Sequence, residues 1–415
     1  MLLRRYLTRR APNPSAGRRL VAVTGPLHAG KTTLAKELYP GLRYLDLESA
    51  QAQNRLRELT AEEWTRAVGP ALLDELQKLP ELAEKLREAW EEEEGALEFS
   101  VLLSSFRILS LEPIRETLAG QVSLYELWPL TVAELAPFYG GLTVELPLIA
   151  RLIRTPQEFP KLLAPFAETM GGTRAEAVQA ALVHILEWGG LPALLERPMG
   201  ERIPWLQERQ STFLDDLSDV VRVRNRKAFS TFYRLAATAA GEIFSYSALA
   251  RAVGVPITTL RLYVEYLELS YQSMLLPAYP GPRLVKLPKL LWLDSGVQRA
   301  VSGQIGALSA QQYENAVICQ ILFTLWSLGL RVRACFLKSN AGLAVDLVLE
   351  PEGYVLTFLV KATERVARED AAPLEEVRSI FGERYGGGIV VYRGPRAEQL
   401  TEMVYAVPDW ILLGY

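Results

Sequence analysis

Apolar residues in the first third of the chain fall into short unbroken runs that alternate with stretches of helical spacing. Leu20 to Val23 is the first run and predicts a buried strand. A loop bounded by Gly25 and Gly30 follows, and a helical pattern opens at Lys31-Thr32-Thr33 and closes at Leu38. Arg43 to Glu48 predicts a second strand ending in carboxylates, and Thr60 to Val68 an amphipathic segment with glutamates in its first turn. Ala71 to Leu73 is a short apolar strand that stops at Asp74-Glu75. A glutamate-rich helix (Glu81 to Glu94), a buried strand (Leu97 to Leu103) delivering Ser104 and Ser105, a helix (Pro113 to Leu118) and a strand (Leu124 to Leu127) complete the alternation. Such runs, apolar without a period of two, predict a parallel sheet covered on both faces.

The pattern then changes twice. Residues 140–240 read as helices punctuated by Pro147, Pro156, Pro160, Pro165 and Gly171-Gly172, with a sharp turn at Trp188 to Pro192, and predict a small helical lid and linker. From Phe244, Ser247 predicts a cap for a helix over 248–253, Gly254-Val255-Pro256 a tight turn, and Ile257 to Leu267 a second helix with Leu260, Val264 and Leu267 inward. This is helix-turn-helix spacing followed by strand, a winged helix. Its outward residues Thr258, Thr259, Arg261 and Glu265 are in position to enter a DNA groove, or to serve protein contacts. Residues 291–415 read as a helix (Ser309 to Leu328), strands over 331–337, 343–350 and 354–360, a helix over 372–381 and a strand over 388–392.

The loop between the first strand and helix carries G-x-x-x-x-G-K-T, formed by Gly25, Pro26, Leu27, His28, Ala29, Gly30, Lys31 and Thr32, with Thr33 next. Inward N–H groups of such a loop cradle phosphate oxygens, and the helix N-terminus adds partial positive charge. Lys31 is placed to reach the β- and γ-phosphates of ATP, and the Thr32 hydroxyl to ligate Mg²⁺. A strand ending in Asp74-Glu75 about 40 residues on supplies a carboxylate for the Mg²⁺ shell and one to orient and deprotonate water. Ser104 is the candidate that senses the γ-phosphate.

Composition narrows the partners. Hydrophobic residues make up 49% and charged residues 22% of 415, an ordinary globular balance. A net charge of −3 gives no global case for nucleic-acid binding. Local basic segments carry what case there is: Arg4, Arg5, Arg9, Arg10, Arg18 and Arg19 in a stretch without acids, and Arg222 to Lys227. The first reads either as an arm for phosphates or an acidic partner, or as a solvated extension. No apolar run is long enough to span a bilayer. Cys319 and Cys335 with His28 and His184 do not make a zinc-finger set, and a reducing cytoplasm is expected.

GPLHAGKTTLAKELYPGLRYLDLE, LLDELQKLPEL and TLAGQVSLYELWPLTVAEL together resemble a prokaryotic AAA+-type ATPase family whose members carry a C-terminal domain of unknown function. GGLPALL, RLVKLPKLLWLDSGV and AVDLVLE extend the resemblance over nearly the whole chain. It implies the same roles for Lys31, Thr32, Asp74 and Glu75, and a homo-oligomer, with a hexameric ring as the superfamily expectation. Where the family has a threonine-glycine-serine strand end this chain has Leu103-Ser104-Ser105, and where it has an arginine after Leu-Ala-Gly this chain has Gln121, leaving Arg115 or Arg107 to substitute. The order of the last domain resembles the restriction-endonuclease-like fold. That likeness implies a nuclease site at Glu314, Asp346 and Lys361, degenerate because Leu359 stands where an acid belongs, with Glu375 or Glu376 as replacement acids. The expected organisation is a basic arm (1–19), a P-loop ATPase core of α/β class (20–139), a helical lid (140–240), a winged helix (241–290) and a restriction-endonuclease-like α/β domain (291–415). The expected activity is Mg²⁺-dependent ATP hydrolysis that acts on duplex or branched DNA; the alternative is a nucleotide-gated switch whose C-terminal domain binds a protein.

Overall fold

The computed structural model describes residues 3–11, 19–60, 63–64, 67–92, 99–107, 110, 114, 122–168, 170–304 and 306–415. Arg115, Gln121, Arg18, nearly all of the helix expected over 113–118 and part of that over 60–68 lie outside them.

Strands β1 (Arg19–Thr24), β2 (Arg43–Asp46), β3 (Ala71–Asp74), β4 (Phe99–Ser104) and β5 (Val122–Glu126) form one parallel sheet in the order β2-β3-β4-β1-β5. The inner strands β3, β4 and β1 are buried on both faces, as unbroken apolar runs require, while the edge strands β2 and β5 are partly exposed. Leu20, Ala22, Leu73 and Leu102 face a core with Leu56, Trp64, Leu82 and Leu86, on α2 (Ala50–Glu58), α3 (Leu82–Glu92) and the turn between α2 and β3. Val21, Val23, Leu72 and Val101 face Leu34, Ala35 and Tyr39 at α1 (Lys31–Leu38). The C-terminal end of β1, inside the sheet, therefore opens onto the loop that precedes α1.

Of the stretch expected as a basic arm, the described residues 3–11 fold onto the body of the chain. Tyr6–Arg9 is a turn of 3₁₀-helix that buries Tyr6 and Leu7 and leaves Arg9 exposed. Arg5 is 6% exposed; its Nε lies 3.2 Å from Glu134 Oε1, and Nη1 donates to the Ala29 carbonyl at 3.0 Å. Nη2 donates to the Trp128 carbonyl. Arg10 donates to the carbonyls of Trp326 and Ser327, and Arg9 to that of Val144. A guanidinium brings five donors and no acceptor, so buried carbonyls can absorb it without solvent. Glu134 also closes the capping box with Thr131 that starts α4 (Val132–Gly140) and accepts the Tyr6 N–H at 2.7 Å. Arg5→Met is expected to lower stability by ~3–5 kcal/mol, because it leaves the Glu134 carboxylate buried without its cation. Denaturant unfolding measures this.

Residues 140–240, expected as one lid, are shared between two cores. Leu148 and Leu152 of α5 (Leu148–Arg154) and Val178 and Ile185 of α6 (Thr173–Trp188) pack with residues from the end of the chain. Further along, α7 (Met199–Val220) and α8 (Arg226–Thr238) bury Leu206, Phe229 and Phe232 against Leu260, Val264 and Leu267. Helices were legible in the sequence here, but their packing partners lie far away along the chain.

Helices α9 (Tyr246–Val253) and α10 (Ile257–Leu269) follow, joined by Gly254, whose φ of 76° the tight turn requires. The cap of α9 is Ser245, not Ser247: its hydroxyl accepts the Ala248 N–H. Strands β6 (Ser273–Leu276) and β7 (Lys289–Trp292) then pair antiparallel. After α11 (Ser295–Ser302) and α12 (Ala310–Ser327) comes a six-stranded mixed sheet. Its strands are β8 (Arg333–Lys338), β9 (Ala344–Glu350), β10 (Val355–Val360), β11 (Tyr385–Tyr392), β12 (Glu398–Gln399) and β13 (Val404–Pro408), in the order β12-β13-β11-β10-β9-β8. Two short helices, 372–376 and 378–381, stand where one was expected. The last helix, α13 (Asp409–Gly414), buries Ile411 and Leu413 in the core shared with α5, α6 and α12.

Candidate nucleotide site

The loop from Gly25 to Gly30 runs between the C-terminal end of β1 and the first turn of α1. A Cβ on Gly25 would lie 2.1 Å from the Leu127 carbonyl oxygen, so only glycine permits that approach. Gly30 (φ 92°) and His28 (φ 64°) are left-handed, and the Ala29 N–H closes a turn on the Pro26 carbonyl. Lys31 is 4% exposed and folds back into the loop. Its Nζ donates to the carbonyls of Gly25 (3.1 Å) and Pro26 (3.0 Å) and to Ser105 Oγ (2.9 Å). Burial pulls its pKa down, against the pull of Glu75 and Asp74. Burial also pushes the His28 imidazole down to about 4, helped by Arg209, so it stays neutral at neutral pH.

Asp74 and Glu75 meet this loop from the end of β3. Thr32 Oγ1 donates to Asp74 Oδ2 at 2.6 Å, and the Tyr44 phenol donates to the same oxygen at 3.0 Å. Burial raises the Asp74 pKa while these two donors oppose the rise. Glu75 sits in the left-handed region (φ 56°), uncommon for a residue with a side chain. Its carboxylate accepts from Ser105 Oγ at 2.9 Å and from the Gln77 amide. Lys31, Ser105 and Glu75 thus form one hydrogen-bonded chain. Ser104 is elsewhere: its hydroxyl is fully buried, donates to Gln77 Oε1 at 2.6 Å and accepts the Phe106 N–H. Of the two serines at the end of β4, it is Ser105 that bonds Lys31 and Glu75 at the loop, while Ser104 bonds Gln77.

Around these groups lies a cleft of about 550 Å³ lined by residues 27–34, including Thr33, by Tyr44, Asp46, Glu48, Asp74 and Glu75, and by Leu130, Phe138 and Pro192 opposite. Of the region expected as a lid, Pro192 lines this cleft and α7 approaches the loop from the other side. The Trp205 ring lies 5.1 Å from that of His28, and Lys78 pairs with Asp219 at 2.7 Å and Asp216 at 3.6 Å.

Residues 17–136 match the family model described as AAA domain. The first third of this chain is an AAA-type P-loop domain. Two further matches are to domains of unknown function, DUF8612 over residues 179–307 and DUF4143 over 310–412. No curated protein matches the chain. Solved structures that it resembles include the Walker-type ATPase Paby2304 of Pyrococcus abyssi, at 13% identity, 71% of this chain, 94% of that one and a TM-score of 0.45. The Thermotoga maritima RuvB Holliday junction branch migration motor matches at 20% identity, 62% and 81% coverage and a TM-score of 0.27. The Aeropyrum pernix Orc1 protein in complex with DNA matches at 13% identity, 73% and 93% coverage and a TM-score of 0.28. At these scores the likeness carries no assignment of function.

The AAA domain is tied to the end of α10 by Arg107 and by Tyr271, a residue just past that helix which the sequence alone did not single out. The Tyr271 hydroxyl bridges Thr24 Oγ1 (2.7 Å), the residue before Gly25, and Glu126 Oε1 (2.9 Å) at the end of β5. Arg107 pairs with Glu126 at 3.0 Å, donates to the Glu268 carbonyl and lies over the Tyr271 ring, so it is committed inside the chain. On α10, Thr258, Arg261 and Glu265 are exposed and Thr259 is half-buried; Arg261 lies 4.5 Å from the centre of the Tyr246 ring.

Of the three residues expected as a nuclease site, Glu314 and Asp346 lie together around Lys289, and Lys361 pairs elsewhere. Glu314 pairs with Lys289, whose Nζ is 3.7 Å from Asp346, while Asp346 Oδ2 also accepts the Val360 N–H at 2.8 Å. Lys361 turns away to pair with Asp370. Burial beside Asp346 pushes the Glu314 carboxyl up, and burial raises Asp346 too. Lys289, on the β6–β7 ribbon, was invisible to sequence reasoning because it belongs to a different expected domain. Glu375, one replacement acid, accepts from Thr401 instead.

Among the described residues no cluster of three or more His, Cys, Asp or Glu side chains is arranged to hold a metal by itself. Thr32 and Asp74 are hard oxygen donors, the kind that holds Mg²⁺ together with substrate phosphates. No described helix is long and apolar enough to cross a membrane.

Proposed function

We propose that the AAA domain binds ATP in the cleft beside Lys31 and hydrolyses it with Mg²⁺. The carrying observation is that Lys31 and Thr32, which open α1, meet Glu75 and Asp74 at the end of β3, Thr32 directly on Asp74 and Lys31 through Ser105 on Glu75. Lys31 exchanges its carbonyl partners for phosphate oxygens. Thr32 and Asp74 hold Mg²⁺, which neutralises charge on the β- and γ-phosphates. Glu75 orients the attacking water and accepts its proton, with Ser105 as the hydroxyl that links it to Lys31. The buried free thiols of Cys319 and Cys335 fit the reducing cytoplasm proposed as its location.

We further propose that turnover is coupled to duplex or branched DNA through α10, supported by its exposed Thr258 and Arg261 after a helix-turn-helix. A second reading, a nucleotide-gated switch for a protein partner, is favoured by Ile257 and Leu262, which are exposed on the same helix. Cleavage by the C-terminal unit is not part of either reading, since Lys289 takes the carboxylates a metal would need. ATP turnover measured with duplex, single-stranded and junction DNA, with molecular mass recorded in each nucleotide state, separates them. A several-fold rise with one DNA form, steeply lost as salt increases, is the expected result. Turnover indifferent to all three forms overturns the DNA reading and leaves the switch.

A further inference from the structure

Tyr44 is required by neither the phosphate loop nor the acid pair, yet it holds the acid. It stands on β2, the edge strand beside β3, and pairs in register with Leu72. Lys36 Nζ lies 3.5 Å from its ring centre and fixes the ring at the mouth of the cleft. Its hydroxyl donates to Asp74 Oδ2, as does Thr32. A carboxylate oxygen has two in-plane lone pairs, so these two donors fill Oδ2. Oδ1 takes the Glu75 N–H at 3.1 Å and keeps one lone pair free. Thr32 has spent its proton on Asp74, so the remaining lone pairs of its hydroxyl are available to a cation. Three donors therefore fix the rotation of one carboxylate and settle which of its electrons it can offer.

We propose that Tyr44 is a positioning residue for the divalent cation of the nucleotide site, acting through the Asp74 carboxylate; this rests on the ATPase reading above. Removing the phenol leaves Asp74 with two donors in place of three, Thr32 on Oδ2 and the Glu75 N–H on Oδ1, and a carboxylate less firmly fixed. The cation then loses an oriented outer-shell oxygen while the phosphate loop is untouched.

Tyr44→Phe tests this, since it keeps the ring and its contact with Lys36 and deletes only the hydroxyl. ATP affinity is measured by titration calorimetry once with EDTA and once at an Mg²⁺ concentration that just saturates the parent, for parent and variant. The expected result is unchanged affinity in EDTA and a loss of about tenfold or more in the gain that Mg²⁺ confers. Raising Mg²⁺ further restores turnover in the variant, which a merely structural defect would not allow. An equal Mg²⁺-linked gain in both proteins overturns the inference. So does a larger gain in the variant, because the phenol would then be competing with the cation. A parent protein that neither gains ATP affinity with Mg²⁺ nor turns ATP over overturns the ATPase reading as well. Parent turnover with an indistinguishable variant removes the role of Tyr44 alone.

Discussion

Lys31→Ala is expected to abolish ATP turnover and to weaken ATP binding by about 10²–10³-fold, the scale for removing a preorganised cation from a phosphate clamp. In the structure this ammonium spends all three protons on the Gly25 and Pro26 carbonyls and on Ser105. Those partners are neutral, so a triphosphate replaces them with charged oxygens and the exchange favours binding. Alanine removes the cation and leaves the hollow of the loop lined by carbonyl oxygens that repel phosphate. Equilibrium binding of a fluorescent ATP analogue, beside steady-state phosphate release, reads both effects. Turnover retained within tenfold of the parent sinks the role given to Lys31.

For Glu75→Gln the expected outcome has the opposite shape: ATP still binds, and turnover falls by about 10²–10⁴-fold, the range for loss of a general base. Glutamine matches the glutamate in size and can still receive the Ser105 hydroxyl, so the left-handed backbone at this position has no new strain to accommodate. What it lacks is an oxygen able to take a proton from water. Single-turnover hydrolysis with pre-bound ATP isolates that step from binding. A variant that hydrolyses at the parent's rate places the base elsewhere, and one that fails to bind ATP makes Glu75 a binding residue.

Much of the AAA domain was legible because its signals are local. Loop glycines, the lysine at a helix start and acids at a strand end each sit within a few residues of the feature they explain, and apolar runs announce buried parallel strands. What escaped the sequence was set by partners remote along the chain. Arg5 reads as a free charge until Glu134, far downstream, is placed beside it. Ser104 and Ser105 are equivalent in a string of letters, and only the side each takes at the end of β4 separates them. Lys289 sits in a stretch read as wing, and Glu314 and Asp346 in a stretch read as nuclease; no pattern within either predicts that they would neutralise one another. The helices over 140–240 were legible as helices from their punctuation, but that punctuation does not name what each one packs against.

The phenol of Tyr271 has a mechanical consequence. Because it grips both Thr24 and Glu126, the tail of α10 and the two strands flanking the phosphate loop share a rivet, with Arg107 clamped across it. Anything that levers α10 outward has to drag the root of the loop along or shear that rivet, so force applied at the far end of the helix is delivered to the loop proposed to hold the triphosphate.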